Sequence, residues 1–117
     1  MKVLQWVAVA CGMFVSVSAA QAADATDGER IFSEICSHCH NSTSADKIGP
    51  GLAGITKRRS IEWIDAWLKD PSELVKTDEY ARKLRESNRY GMTMPAMPIM
   101  KDDKKRADVI EFLKTLN

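Results

Sequence analysis

The chain has 117 residues, 44% of them hydrophobic and 7% aromatic, with 17 basic against 16 acidic side chains. That length sets an expectation of one domain, and the near-neutral charge excludes a nucleic-acid binder working through a basic face. Sixteen of the hydrophobic residues lie in the first 22 positions, leaving about 38% over the remainder, below the roughly 45–50% of typical globular domains.

A short chain with so lean a core needs a staple: disulfides, a metal or a large cofactor. Residues 1–22 read as a secretory signal peptide. Lys2 gives a positive start, Val3 to Val17 form an apolar run, and Ala20-Gln21-Ala22 is a small-x-small cleavage site. The run is short for a span of about 20 residues. The expectation is therefore a leader cleaved after Ala22, a periplasmic location and no stable membrane insertion; an uncleaved anchor is the alternative. Cys11 falls inside the leader and is a bystander. The domain then covers 23–117, with two cysteines and 16 residues of each charge.

Thr26-Asp27-Gly28-Glu29 has the pattern of a capping box. Ile31, Phe32 and Ile35 follow on one helical face. That helix delivers Cys36-Ser37-His38-Cys39-His40, for which four chemistries compete. A thioredoxin-like pair expects alternating strands and helices that this sequence lacks. Structural zinc needs four ligands from separated pairs, and both histidines of the chain crowd this motif. A disulfide here closes a tiny loop and stabilises little. Covalent haem attachment uses both thiols on the porphyrin vinyl groups and the adjacent His40 as proximal iron ligand, and agrees with export. Haem is the expectation, and as a large apolar plate it also supplies the missing core. His38 is expected on the surface.

Asn41 to Thr56, rich in Ser, Gly and Pro, reads as a loop. Ser60 is a candidate N-cap for a helix that stops before Pro71, with Ile61, Ile64 and Leu68 in one stripe and Trp63 and Trp67 in another. A charged helix is expected over about Asp78–Ser87, carrying Tyr80, Ala81 and Leu84. Gly91 to Met100, with two prolines and four methionines, should be extended. A last helix runs from Asp102 or Asp103 to Leu116, with Ala107, Ile110 and Leu113 on one face and Val109, Phe112 and Leu116 beside it. The domain is all-α, with four or five short helices.

These residues resemble the class I monohaem cytochromes c, the family of mitochondrial cytochrome c and many bacterial periplasmic carriers, over about residues 26–70 and 90–116. Gly28 to Phe32 before the Cys36–His40 motif looks like the family's first helix, which implies that Gly28 and Phe32 meet Val109, Ile110 and Phe112. Gly49-Pro50-Gly51-Leu52 resembles the family's Gly-Pro-x-Leu, which implies that the Pro50 carbonyl holds the His40 ring. Arg58 falls where the family contacts a haem propionate. Trp67-Leu68-x-x-Pro71 matches an aromatic-Leu-x-x-Pro whose ring lies over the distal face. The chain departs from mitochondrial cytochrome c in an extra charged segment around Asp78–Arg89, whose role stays open.

Met92, Met94, Met97 and Met100 all offer a soft thioether as sixth ligand. Met94-Pro95 resembles the family's Met-Pro step and fits its spacing to the last helix; Met97-Pro98 is the runner-up. The other methionines are expected to pack around the cofactor. The expected function is a one-electron carrier with a single His/Met-ligated haem c, no enzyme activity of its own, and transient donor and acceptor redox proteins as partners. Lys57–Arg59 and Lys104–Arg106 are candidate docking charges, with a solvated face as the plainer reading. The alternatives are a haem subunit of a periplasmic oxidoreductase complex and a gas-binding haem sensor.

Overall fold

In the computed structural model residues 21–117 are described. The leader lies outside the described residues apart from Gln21 and Ala22, and so does Cys11. Helix α1 (Ala25–Glu34) begins two residues before the Thr26 capping pattern: Asp24 is its N-cap and its carboxylate accepts from Thr26 N. Two forces favour this start. A carboxylate suits the positive helix end, and the Asp24 backbone N–H is itself held by Asp108 Oδ1 at 2.7 Å.

Five further helices follow: α2 (Ile55–Arg58), α3 (Ile61–Lys69), α4 (Pro71–Thr77), α5 (Glu79–Ser87) and α6 (Asp103–Leu113), with 3-10 turns at Cys36–His38 and Pro98–Lys101. No strand occurs among the described residues. The all-α class holds, with six helices among the described residues where four or five were expected. Ser60 caps α3 as read from the sequence, accepting from Trp63 N at 3.1 Å. Pro71 ends α3 but also opens α4, since its fixed φ suits a first helical position. Asp70 caps that new helix through Glu73 N. Asp78 and Asp102 cap α5 and α6 in the same way. Helix α6 stops at Leu113 rather than Leu116, because the chain turns so that the Leu116 carbonyl accepts from Gly54 N at 2.7 Å.

The core is built on the crossing of α1 and α6. A Cβ at Gly28 would lie 2.0 Å from the Asp108 carbonyl oxygen and 3.0 Å from Phe112 Cβ, so the two backbones touch there. Phe32 packs on Phe112 with ring centroids 5.2 Å apart, and Ile31, Val109, Ile110 and Leu113 are buried around them. Polar contacts clamp the same crossing. Asp108 is fully buried and receives Lys104 Nζ at 2.9 Å as well as the Asp24 N–H. Asp27 pairs with Lys105 at 2.6 Å and with Arg30, which together hold its carboxyl far below the ordinary carboxylate range.

Arg106, 3% exposed, bonds Asp65 of α3, Asp103, and the carbonyls of Met100 and Lys101. In the basic run Lys104–Arg106 every side chain is paired with a carboxylate, and Arg106 alone is buried. Lys104 reaches Asp108 one turn on in α6, Lys105 reaches Asp27 of α1, and Arg106 reaches Asp65 of α3.

Gly28→Ala is expected to destabilise the protein by about 3 kcal/mol, since the new methyl has only rigid backbone to displace. Denaturant unfolding followed by far-UV circular dichroism checks this, and an unchanged midpoint would show that α1 and α6 are not locked at this point.

Candidate haem site

The end of α1 leads directly into the cysteine motif. The 3-10 turn Cys36–His38 is closed by Cys39 N and His40 N, which both donate to the Cys36 carbonyl at 3.1 and 2.9 Å. The turn brings Cys36, Cys39 and His40 onto the lining of one cavity, with Cys36 and Cys39 half-buried and free. Burial pushes the Cys36 thiol up to about 11, so it stands protonated at neutral pH. His38 is exposed.

The loop before α2 fixes the imidazole. His40 Nδ1 lies 2.8 Å from the Pro50 carbonyl oxygen. With Nδ1–H donating there, Nε2 carries the free lone pair. The ring packs closely against Gly49, where a Cβ would come within 2.4 Å of His40 Cε1. Gly49 N donates to Cys39 O and Gly51 N to Asp46 Oδ1, so the loop is tied back onto the motif.

Helix α3 and the methionine loop supply the remaining walls. Trp67 Nε1 donates to Met94 Sδ at 3.1 Å. Trp67 is stacked on Trp63, centroids 5.3 Å apart and 12° from parallel. Met92, Met94, Met97 and Met100 all line the cavity. They differ in their surroundings: Met100 is 2% exposed in the core, Met92 is 47% exposed, and Met94 is the one whose sulfur has a hydrogen-bond donor among the described residues. Arg58 also lines the cavity and donates to the Ala53 and Gly51 carbonyls, bracing the loop that carries Pro50.

One part of the site was not read from the sequence. The extra segment after Pro71 folds over the cavity, and Tyr80, Leu84, Arg85 and Asn88 join its lining. Asp78 anchors the segment by accepting from Ala81 N at 2.8 Å and Trp63 Nε1 at 3.1 Å, bonds that lower its pKa. Tyr80 meets Trp63 edge to face at 5.4 Å, and the Arg59 guanidinium lies 3.7 Å over the Tyr80 ring. The signal was present in Tyr80, Ala81 and Leu84, an apolar stripe on a charged helix, of which Ala81 is fully buried.

The residues fit a covalently held haem: an apolar cavity, two free thiols three apart, an imidazole packed against a glycine, and a thioether. A family model for cytochrome c matches residues 25–117. Cytochrome c2 of Rhodopila globiformis is 32% identical over 104 residues, covering 80% of this chain and 93% of that protein. Among solved structures, the cytochrome c domain of the pp3183 protein from Pseudomonas putida superposes with a TM-score of 0.62 at 32% identity, over 74% of this chain and 84% of that one. Cytochrome c from Rhodothermus marinus superposes with a TM-score of 0.71 at 22% identity, over 98% of this chain and 89% of that one, a likeness of fold. The chain belongs to the cytochrome c family, whose cofactor is covalently bound haem c.

Gly49→Val tests the cradle under His40. The branched side chain displaces the imidazole from the Pro50 carbonyl, and the yield of protein holding covalent haem is expected to fall about tenfold. Haem absorbance per polypeptide after denaturation measures this, and a full yield with an unaltered spectrum would break the account.

Proposed function

We propose that this protein is a one-electron carrier of the periplasm, with one haem c joined through Cys36 and Cys39 and ligated by His40 and Met94. Membership of the cytochrome c family and the likeness to a cytochrome c2 support an electron carrier rather than an enzyme. The observation that carries the ligand assignment is the support given to each donor atom: Pro50 O holds the imidazole at Nδ1 and Trp67 Nε1 holds the Met94 sulfur.

When bound, haem would supply an iron that takes up and gives back one electron at a potential tuned by the side chains that hold it. The chain's own residues do the rest. The Pro50 carbonyl orients His40 and raises its basicity. Trp67 donates to the Met94 thioether and, were Met94 to hold the iron, would draw electron density from its sulfur. Leu68, Ile64 and Met100, all buried, keep the cavity apolar and disfavour added charge. Arg58 stands at the cavity as the cation that meets the cofactor's carboxylates. With His40 and Met94 both holding the cofactor, no position would be left for a substrate, so the partners would be redox proteins that dock transiently and exchange electrons. Met97 lines the same cavity, but its sulfur has no hydrogen-bond donor among the described residues.

The leader reading completes this proposal: residues 1–22 direct export and are removed, leaving 23–117 as the working domain. Edman sequencing of the protein recovered from a periplasmic extract is expected to start at Ala23. Recovery of an intact Met1 terminus in the membrane fraction would instead identify an anchored carrier.

Met94→Ala is expected to abolish the methionine-to-ferric-iron charge-transfer band, lower the reduction potential and open the ferrous protein to carbon monoxide. Met97→Ala is expected to leave all three as in the wild type. The reverse pattern moves the ligand to Met97. Rapid carbon monoxide binding by the wild type at neutral pH overturns the closed site altogether.

A further inference from the structure

Asn88 follows the last residue of α5, and its side-chain amide bonds in two directions. Oδ1 accepts from Tyr90 N at 2.9 Å and Met92 N at 3.1 Å, while Nδ2 donates to the Ile48 carbonyl at 3.0 Å. The orientation of the amide follows from its partners, since two backbone N–H groups can face only its oxygen. The first pair closes a turn, completed by Gly91 N on the Asn88 carbonyl at 3.0 Å and by a left-handed Gly91 at φ 63°. The bond to Ile48 is of a different kind. It is the one hydrogen bond found among the described residues between the segment 71–97 and the loop 41–54.

The two ends of this bond stand alike toward the two donor atoms. Ile48 lies two residues before Pro50, whose carbonyl holds His40 Nδ1 at 2.8 Å, and Gly49 between them donates to the Cys39 carbonyl. Met92, held by the oxygen of the same amide, lies two residues before Met94, whose sulfur receives the Trp67 N–H. Ile48, Asn88 and Met92 all line the cavity. A single half-buried side chain thus ties the loop that orients the imidazole to the loop that carries the thioether. The second loop needs such a tie. Residues 91–97 belong to no helix, so no ladder of backbone bonds holds them in place.

We propose that Asn88 is a positioning residue: its Nδ2 bond to Ile48 clasps the methionine loop to the His40 loop and keeps Met94 seated on the cofactor. The proposal deepens the reading of Met94 as ligand and rests on it. Trp67 holds the Met94 sulfur from α3, and the clasp holds the start of the same loop from the other side of the cavity. Without the clasp the closed arrangement is unchanged but opens more often, because the bond exists only in the closed state.

The test mixes ferric haem-loaded protein with imidazole, which enters only when Met94 leaves, so the rate at saturating imidazole reads loop opening. Asn88→Asp and Asn88→Ser each keep an oxygen for the turn amides and lose the amide donor; the neutral variant separates loss of the clasp from the new charge. Both are expected to raise the saturating rate about tenfold, the worth of one hydrogen bond. The methionine-to-ferric-iron charge-transfer band should be intact before imidazole is added. Gly28→Ala, which weakens the fold at the helix crossing, is expected to leave the rate near the wild-type value. A rate unchanged in both Asn88 variants, a rise in Asn88→Asp alone, or an equal rise in Gly28→Ala overturns the clasp. Nuclear Overhauser contacts between the Asn88 side-chain amide and Ile48 are expected in the ferrous protein whichever residue holds the iron, and their absence also overturns it. A wild type that lacks the charge-transfer band overturns the Met94 reading instead, so the two failures are distinct.

Discussion

The backbone contact at Gly28 is the constraint from which the rest of the architecture follows. Helices normally lie 8–10 Å apart, with side chains setting the distance. At this crossing the Asp108 carbonyl occupies the space of a Cβ. So close an approach fixes the direction in which α1 leaves the crossing, and hence where Cys36 emerges two residues beyond its end. It also turns Ile31, Val109 and Leu113 toward the cavity that Cys36 and His40 line. The buried Asp108 reinforces the geometry, since its carboxylate is satisfied by Lys104 within α6 and by the Asp24 N–H that the crossing brings to it.

The second structural idea is the relay of contacts that runs from the extra segment to the methionine loop. Asp78 begins α5 and holds the Trp63 indole; Trp63 stacks on Trp67; Trp67 donates to Met94. Arg59 closes the outer end over Tyr80. Its Nε is buried without a hydrogen-bond partner, which leaves the ring face and the nearby Asp78 carboxylate to compensate its charge. A segment that looks in sequence like a solvated insertion is thus part of the wall that positions the candidate ligand.

How much of this was legible in the sequence depended on the range of the interaction. Local chemistry could be read: Ser60 as a cap, the Cys36–His40 motif, and Gly91–Met100 as mainly extended chain with one terminal 3-10 turn. Competition between local signals was harder. Thr26 and Asp24 are both good caps, and a backbone bond to Asp108, 84 residues away, selects Asp24. Pro71 marks a boundary by its ring, but whether a new helix follows depends on Asp70 and on burial of Val75. The fate of Lys104–Arg106 was illegible, because charge along a chain does not say which carboxylates the fold will bring beside it.

The lean composition takes on a specific meaning in this light. Side chains from α1, α3, α5, α6 and both loops converge on one cavity instead of on each other, so the polypeptide provides a shell and the family's covalent cofactor its centre. In such an arrangement aromatic residues are too few to be spent on ordinary packing. Phe32 and Phe112 lock the helix crossing, while Trp63, Trp67 and Tyr80 line or brace the cavity. Methionine suits the remaining gaps because an unbranched thioether adapts to an irregular surface. The same property makes all four methionines adequate as filler of the cavity wall. The feature that separates Met94 from its neighbours is therefore not its own chemistry but the indole N–H that α3 sets against its sulfur.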